Sequence, residues 1–70
     1  MPHPIEILVG QKIKQARQHA GFTQEELALK LDCLQVEIAR WETAKRVPRI
    51  AVLIRIAEAL SVPMCFFFEE

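Results

Sequence analysis

The sequence has 70 residues, of which 51% are apolar, and its nine basic and nine acidic side chains give a formal net charge of zero. This length permits one small domain, and the apolar share argues against disorder. The neutral sum predicts weak non-specific attraction to nucleic acid unless the charges segregate to one face. No apolar run approaches the roughly 18 residues that cross a bilayer, and no signal peptide is visible at the N-terminus.

The cysteines and histidines argue against a metal site, a cofactor and an enzyme. Cys33 and Cys65 lie far apart, without a C-x-x-C pair or clustered histidines, so we expect reduced thiols in the cytoplasm. His3, His19 and the single serine, Ser61, form no readable set of nucleophile, base and orienting group. The composition therefore favours a binding protein over a catalyst.

The chain begins with two prolines in residues 1–4, which we expect to form a short arm outside the helices, followed by one domain over residues 5–70. The first helix is predicted from about Ile5 to Ala20, because apolar residues recur at helical spacing. Gly21 then fits the left-handed position that ends many helices.

The second and third predicted helices are short and close together. Thr23 is a good N-cap, and Glu26 three residues later completes a capping box, so the second helix begins here. The third helix is predicted from about Leu34 or Gln35 to Thr43. Two helices of about eight residues joined by so tight a turn suggest a helix-turn-helix, which usually places its second helix in the DNA major groove. The inward residues of the two are Leu27, Ala28, Leu31, Ile38 and Trp41.

Two further helices are predicted after the basic loop that precedes Pro48. The fourth starts near Arg49 or Ile50, and Ser61 ends it. Pro63 suits the first turn of a last short helix that reaches Phe68. The core face of the fourth helix is Leu53, Ile56, Ala57 and Leu60. Five short helices with short connections predict a compact all-α domain.

Over roughly Val9 to Phe68, the chain resembles the Cro and phage-repressor type of helix-turn-helix, the XRE family. The matching features are the Arg17-x-x-x-Gly21 spacing, the run Thr23 to Ala28, the ending Ile38-x-x-Trp41-Glu42, Pro48, and the apolar series from Leu53 to Val62. The resemblance implies a five-helix domain that binds palindromic operator DNA as a homodimer. It also implies a buried ion pair between Arg17 and Glu42, with a structural role, because a buried charge needs a partner.

Three turn positions depart from the pattern of that family. Asp32 stands where Gly is common, and Asp tolerates the left-handed conformation. Leu34 replaces the usual Ser or Thr cap of the third helix, which costs about 1 kcal/mol unless Asp32 caps instead. Ala44 stands where Gly is favoured, and a left-handed Ala costs roughly 1 kcal/mol.

The resemblance also implies which residues face DNA. Carried over by position, the predicted set is Thr23, Gln24, Gln35, Val36, Glu37, Arg40, Lys45 and Arg46. Gln35 is suited to adenine, Arg40 to guanine or a phosphate, and Val36 only to a thymine methyl. Glu37 could accept from a cytosine amino group, or it could form a solvated surface pair with Arg40 three residues later.

Phosphate contacts are predicted at both ends of the motif. Gln24 and the first N–H groups of the second helix can meet a phosphate. Lys45 and Arg46 follow the third helix and are either phosphate contacts or ordinary loop charges.

The C-terminus is unusually apolar. Phe67 and Val62 match inward positions of the family pattern, which leaves other apolar side chains for the surface. We expect a self-complementary patch that makes a two-fold dimer, formed by Val52, Met64, Cys65, Phe66 and Phe68; the alternative is a slightly apolar surface.

Two functions remain open at the level of sequence. The first is a sequence-specific, homodimeric, DNA-binding transcription regulator. The second is a protein-interaction module on the same scaffold, such as an antitoxin-like or phage accessory protein, in which the surface around Val36 and Glu37 contacts a protein partner.

Overall fold

Four α-helices and a terminal 3-10 helix make up residues 2–70, the part of the chain that the computed structural model describes. The helices are α1 (Pro4–His19), α2 (Gln24–Leu31), α3 (Gln35–Glu42) and α4 (Ile50–Leu60), and the 3-10 helix is Met64–Phe68. Within the described residues there is no strand, which confirms the all-α prediction. No helix there is long and apolar enough to span a membrane.

Helix α1 begins earlier than the sequence suggested. Pro4 is its first residue, and His3 is the N-cap, whose Nδ1 accepts from the N–H of Ile5 at 3.1 Å. The prediction that both prolines stay outside the helix was therefore wrong for Pro4. The first helical position tolerates proline because its N–H would lack an intrahelical partner anyway. Met1, also part of the predicted arm, lies outside the described residues.

The turn between α2 and α3 has the predicted backbone but lacks a cap for α3. The Thr23 and Glu26 capping box of α2 is present in both directions. Asp32 adopts the left-handed conformation, with φ of 55°. No side chain caps α3 at Leu34, so Asp32 does not supply the missing hydrogen bond. We therefore expect the stability of α3 to come from its packing against the other helices, because its N-terminus has no side-chain cap.

Two other non-glycine residues end helices in the left-handed conformation, which is costly for side chains with a Cβ. Ala44 has φ of 60°, two residues after α3, and Ser61 has φ of 57° at the end of α4. The left-handed conformation considered for Ala44 from the sequence is therefore present. The strained backbone at these two turns therefore lowers the free energy of unfolding.

The core lies where the inward faces of the helices meet. Helix α1 packs against α3, α4 and the 3-10 helix, and α2 packs against α3 and α4. Phe67, from the 3-10 helix, is fully buried and is one of the largest side chains in the core. Nearly all of the predicted core stripes are buried, namely Val9, Ile13, Ala16, Leu27, Ala28, Leu31, Ile38, Trp41, Leu53, Ile56, Ala57 and Leu60. Ala20, which the same helical spacing predicted to face the core, is exposed, because α1 ends at His19 and Ala20 is its C-cap.

Gly10 sets the distance between α1 and α3. A Cβ at this position would lie 2.5 Å from the carbonyl oxygen of Trp41 and 3.0 Å from that of Glu42. Real side chains essentially never approach a backbone oxygen that closely, so only glycine allows this crossing. The close contact fixes α3 against α1 along its last turn.

The C-terminal segment differs from its prediction. Pro63 precedes the helix as its N-cap residue with extended backbone, and the helix is 3-10 rather than α. A 3-10 helix has three residues per turn, so residues i and i+3 share a face. Phe67 is buried, Met64 and Phe66 are half-buried against the core, and Cys65 and Phe68 share an exposed side.

Candidate nucleic-acid interface

A buried ion pair ties α1 to the end of α3. Arg17 Nε donates to Glu42 Oε2 at 2.6 Å, and Arg17 Nη2 donates to Glu42 Oε1 at 3.2 Å. Arg17 Nη1 also donates to the carbonyl oxygen of Phe22 at 2.7 Å. Both charged residues are 8% exposed. The two-pronged geometry satisfies the buried charges and holds the last turn of α3 in one orientation.

Gln24 and Gln35 extend this pair to the surface. Gln24 Nε2 donates to Glu42 Oε1 at 3.0 Å, and Gln24 Oε1 accepts from Gln35 Nε2 at 2.6 Å. Gln24 was predicted to contact a phosphate, whereas in the structure both the NH₂ group and the oxygen of its amide form hydrogen bonds within the protein. Sequence reasoning missed this link because the partners are 18 and 11 residues away.

The outer face of α3 carries the predicted base readers. Gln35, Val36 and Arg40 are exposed on it, and Val36 is 43% exposed. Lys45 and Arg46 are exposed in the loop that follows. We call these five residues, Gln35, Val36, Arg40, Lys45 and Arg46, the reading face. Thr23, also in the predicted set, is exposed at the start of α2, where its hydroxyl caps that helix.

Glu37 is half-buried and does not pair with Arg40. The salt bridge between Arg17 and Glu42 is the one found among residues 2–70, so the surface pair considered from the sequence is absent there. Glu37 instead lines a hollow of about 340 Å³ with Arg46 and Arg49. Glu37 therefore lies near the basic loop without an ion pair to it, and no carboxylate among residues 2–70 forms a salt bridge with Arg40.

Arg49 is a basic residue that sequence reasoning left out of the site. It is exposed at the N-cap position of α4, beside Arg46 in the same hollow. The signal in the sequence was its place one residue after Pro48, in the loop that carries Lys45 and Arg46. With it, three basic side chains follow α3.

The thiol of Cys33 lies beside the turn between α2 and α3. Burial raises its pKa above the ordinary value of 9.0, and the carboxylate of Glu37 raises it further. Arg55 acts in the opposite direction, and Asp32 adds a smaller upward effect. A thiol with a raised pKa is a poor nucleophile and a poor metal ligand at neutral pH. Among residues 2–70, no three His, Cys, Asp or Glu side chains form a metal-binding group.

The residues predicted as one dimer patch are unequally exposed. Val52 lines the hollow with Glu37. Phe66 is half-buried and lines a groove of about 710 Å³ between α1 and α4, with the ammonium of Lys12 4.9 Å from its ring centre. Met64, like Val52 and Phe66, packs against the core, whereas Cys65 and Phe68 are exposed. A two-fold dimer through these residues stays a prediction.

Phe68 lies on an exposed apolar surface that was not predicted from the sequence. Ile5, Val47, Ile50 and Phe68 line one shallow depression, and each is more than 40% exposed. Ile54, one turn after Ile50, is also exposed. We call Ile5, Val47, Ile50 and Phe68 the apolar edge.

Residues 13–67 match the model of a protein family described as helix-turn-helix. The chain belongs to this family. A structural neighbour of this helix-turn-helix chain is the restriction-modification controller protein C.AhdI from Aeromonas hydrophila, with a TM-score of 0.87 and 21% identity over 94% of this chain and 100% of that one. A mutant of the controller protein C.Esp1396I has a TM-score of 0.85 and 32% identity over 97% of this chain and 86% of the other.

Sequence relatives agree with the family. An uncharacterized HTH-type transcriptional regulator of Sinorhizobium medicae is 35% identical over 69 residues, 99% of this chain and 50% of the relative. A transcriptional regulator, also uncharacterized, in the ATPase CF(0) region of Rhodospirillum rubrum is 31% identical over 97% of this chain and 63% of the relative. The helix-turn-helix chain spans about half the length of the first of these. Its family and fold are those of DNA-binding regulators, as the resemblance predicted.

Proposed function

We propose that this chain is a sequence-specific transcription regulator that binds operator DNA as a homodimer, with α3 in the major groove. The observation that carries the proposal is the reading face, where Gln35, Val36 and Arg40 project from one side of α3 beside Lys45 and Arg46. An amide, a methyl-bearing side chain and a guanidinium are groups that distinguish base edges in the major groove. The names of the relatives, which include transcriptional regulators, support the same function.

The charge distribution also supports DNA binding despite the neutral sum. Arg40, Lys45, Arg46 and Arg49 are all exposed on or just after α3. Glu37 offsets part of this charge from its half-buried position. We therefore expect specific binding that weakens as salt rises, because each phosphate contact releases counterions.

Selection from a random duplex library, followed by affinity measurement across salt concentrations, tests the proposal. The expected result is an enriched palindrome whose affinity falls with salt. Arg40→Ala should lower affinity at the selected site by about 1 to 3 kcal/mol and relax preference at one base pair. Arg46→Ala should weaken all sequences alike. A library that yields no enriched palindrome would refute the proposed function.

A protein partner is the second candidate, and exposed apolar residues near the turn favour it. Leu29 is 82% exposed and Leu34 is 67% exposed, next to Val36 on α3. Exposed apolar side chains that lie together are typical of a surface that binds another protein. Two results together would support this second function. The duplex library yields no enriched sequence, and a protein that copurifies with the parent chain is lost when Leu34, which is exposed, is changed in the variant Leu34→Glu.

A further inference from the structure

The groove of about 710 Å³ that Phe66 lines is separate from both surfaces described above. It runs between the end of α1 and the end of α4, and no residue of the reading face or of the apolar edge lines it. Its apolar lining includes Ala16, Leu60 and Val62. Sites for small ligands are typically apolar hollows of about 300 to 1,000 Å³ with a few polar groups, so the groove is large enough for one.

Two half-buried phenylalanines in the groove each have a lysine ammonium over the ring. The Nζ of Lys30 lies 5.3 Å from the ring centre of Phe22, and the Nζ of Lys12 lies 4.9 Å from that of Phe66. Both rings line the groove. The face of an aromatic ring attracts a cation, so these contacts hold positive charge beside the aromatic walls.

The positive charge of these lysines has no carboxylate partner in the described chain. No Asp or Glu lines the groove, within residues 2–70. Glu26 lies one turn before Lys30, at a spacing that often forms an ion pair. The salt bridge found among residues 2–70 is instead the pair of Arg17 with Glu42. The charge at the groove is therefore left for a ligand.

Three further polar side chains that line the groove, those of Gln15, His19 and Ser61, are exposed. None of them takes part in a side-chain hydrogen bond among residues 2–70. An amide, an imidazole and a hydroxyl can all donate to an oxygen. The groove thus combines an apolar wall with donors and a cation.

The ends of helices explain part of this charge. His19 and Lys30 lie in the last turns of α1 and α2, where the helix dipole favours a cation. The dipole does not explain why Lys30 and Lys12 both lie over rings that line one groove. An anionic ligand in the groove accounts for both observations.

We propose that the groove binds a small organic acid with an apolar tail. The tail lies against Phe22 and Phe66, and the carboxylate lies beside the ammonium of Lys30. Burial of the tail supplies most of the affinity, whereas an ion pair with the exposed Lys30 adds a few-fold. The inference goes beyond the proposed function and does not depend on it, because the groove shares no residue with the reading face.

Hexanoate is the probe, and hexanol and hexylamine are its controls, because the three share one tail and differ in charge. Each is titrated into the parent protein while NMR spectra follow the signals of Phe22, Phe66 and Val62. We expect hexanoate to shift these signals, hexanol to bind about three- to fivefold more weakly, and hexylamine to bind most weakly. Hexanoate that leaves these signals in place, or binds no better than hexylamine, would overturn the inference.

Lys30→Met tests where the carboxylate lies. Methionine has a similar length and helix propensity but no charge, so affinity for hexanoate should fall about three- to fivefold while affinity for hexanol is kept. Lys14→Met is the matched control, because Lys14 is exposed on α1 and lines a different hollow. Equal affinity for hexanoate in Lys30→Met and the parent would overturn the placement of the carboxylate.

Ala59→Leu tests where the tail lies. Ala59 is half-buried in the lining of the groove, so a leucine there should occupy the space of the tail and weaken hexanoate at least about tenfold. Ala51→Leu, at an exposed position of α4, is the control and should bind as the parent does. Parent-like affinity in Ala59→Leu would contradict the site. A duplex library without an enriched palindrome would refute the proposed function alone, since hexanoate binding is measured without DNA.

Discussion

The reading face and the apolar edge belong to the same small domain, but different interactions define them. On the reading face, Gln35 is joined by directional hydrogen bonds to a buried ion pair. On the apolar edge, Ile50 and Phe68 are exposed side chains without a directional partner. Hydrogen-bonding groups in fixed positions can distinguish ligands by the positions of their donors and acceptors. The affinity of an apolar surface depends mainly on the apolar area that is buried, because the hydrophobic effect is non-directional. Mutations should therefore act differently on the two.

The largest effect should come from removing one partner of the ion pair beneath the reading face. Glu42→Ala leaves the Arg17 guanidinium buried without a countercharge, so the free energy of unfolding should fall by about 3 to 5 kcal/mol. Chemical denaturation measures this change. Glu58→Ala, an exposed carboxylate on α4, should change it by less than about 0.5 kcal/mol. If both variants lose the same free energy of unfolding, the buried ion pair contributes no more to stability than an exposed carboxylate does.

The contact of α1 with α3 should be the next most sensitive point. Gly10→Ala places a methyl group 2.5 Å from the Trp41 carbonyl oxygen, so the helices must separate, at a cost of about 1 to 3 kcal/mol. It should also disturb the Gln35 amide signals. Gly21→Ala is the control, since its Cβ meets no atom within 4 Å and only its φ of 82° is costly. If both variants leave the Gln35 signals unchanged, the crossing does not set the reading face.

If the proposed homodimer forms through the apolar edge, mutations there should affect association rather than folding. Ile50→Glu places a charge on the edge, and the dissociation constant of the homodimer should rise at least about tenfold in sedimentation. Folding should not suffer, because an acidic residue in the first turn of α4 favours the helix dipole. Ala51→Glu adds the same charge one residue later, on a different side of the helix, and should keep the parent mass. If Ala51→Glu raises the dissociation constant more than Ile50→Glu does, the dimer interface lies on another surface.

A change outside both surfaces should raise stability alone. Ala44→Gly relieves a left-handed alanine with φ of 60°, so the free energy of unfolding should rise by about 1 kcal/mol. Ala39→Gly, inside α3, should lower it by a similar amount. Thermal melts test both. A loss of stability in Ala44→Gly would show that the turn does not strain the alanine.

The smallest effect concerns the thiol beside the turn. The raised pKa of Cys33 means that the folded chain keeps the thiol proton to higher pH than the unfolded chain does. The unfolded state then binds fewer protons, so this group lowers stability as pH rises past its ordinary value of 9.0. Cys33→Ser should flatten that decline in melts between about pH 8 and 10. Cys65, which is exposed, should be alkylated before Cys33.

The sequence predicted the parts of the molecule that depend on local signals. The capping box at Thr23 and the buried stripes of the helices follow from spacing alone. The ion pair of Arg17 and Glu42 followed from a family resemblance. The left-handed Asp32 followed from the same resemblance, because Asp32 stands where that family often has Gly. For the capping box and the stripes, a few residues near one another carried the information, whereas the ion pair joins residues 25 positions apart and needed the resemblance.

The remainder depends on contacts between distant residues. Gln24 was assigned to a phosphate because nothing near it in sequence indicates its bond with Glu42. Gly10 gave one overlooked signal, since a glycine inside a helix costs about 1 kcal/mol and is usually kept for close packing. The five apolar residues from Met64 fit more than one helical register, and the tighter 3-10 geometry decided which of them reach the core.

The dimensions of the domain constrain the operator that a dimer could use. The described chain measures 28 × 23 × 21 Å, so the centres of two touching protomers lie closer than the roughly 34 Å of one DNA turn. Each α3 must then lie farther from the two-fold axis than the centre of its own protomer. Helix α3 packs on α1 and α2, while the apolar edge includes the start of α4 and the 3-10 helix. If the proposed dimer forms through that edge, each α3 has to project away from the two-fold axis to reach consecutive turns of the major groove.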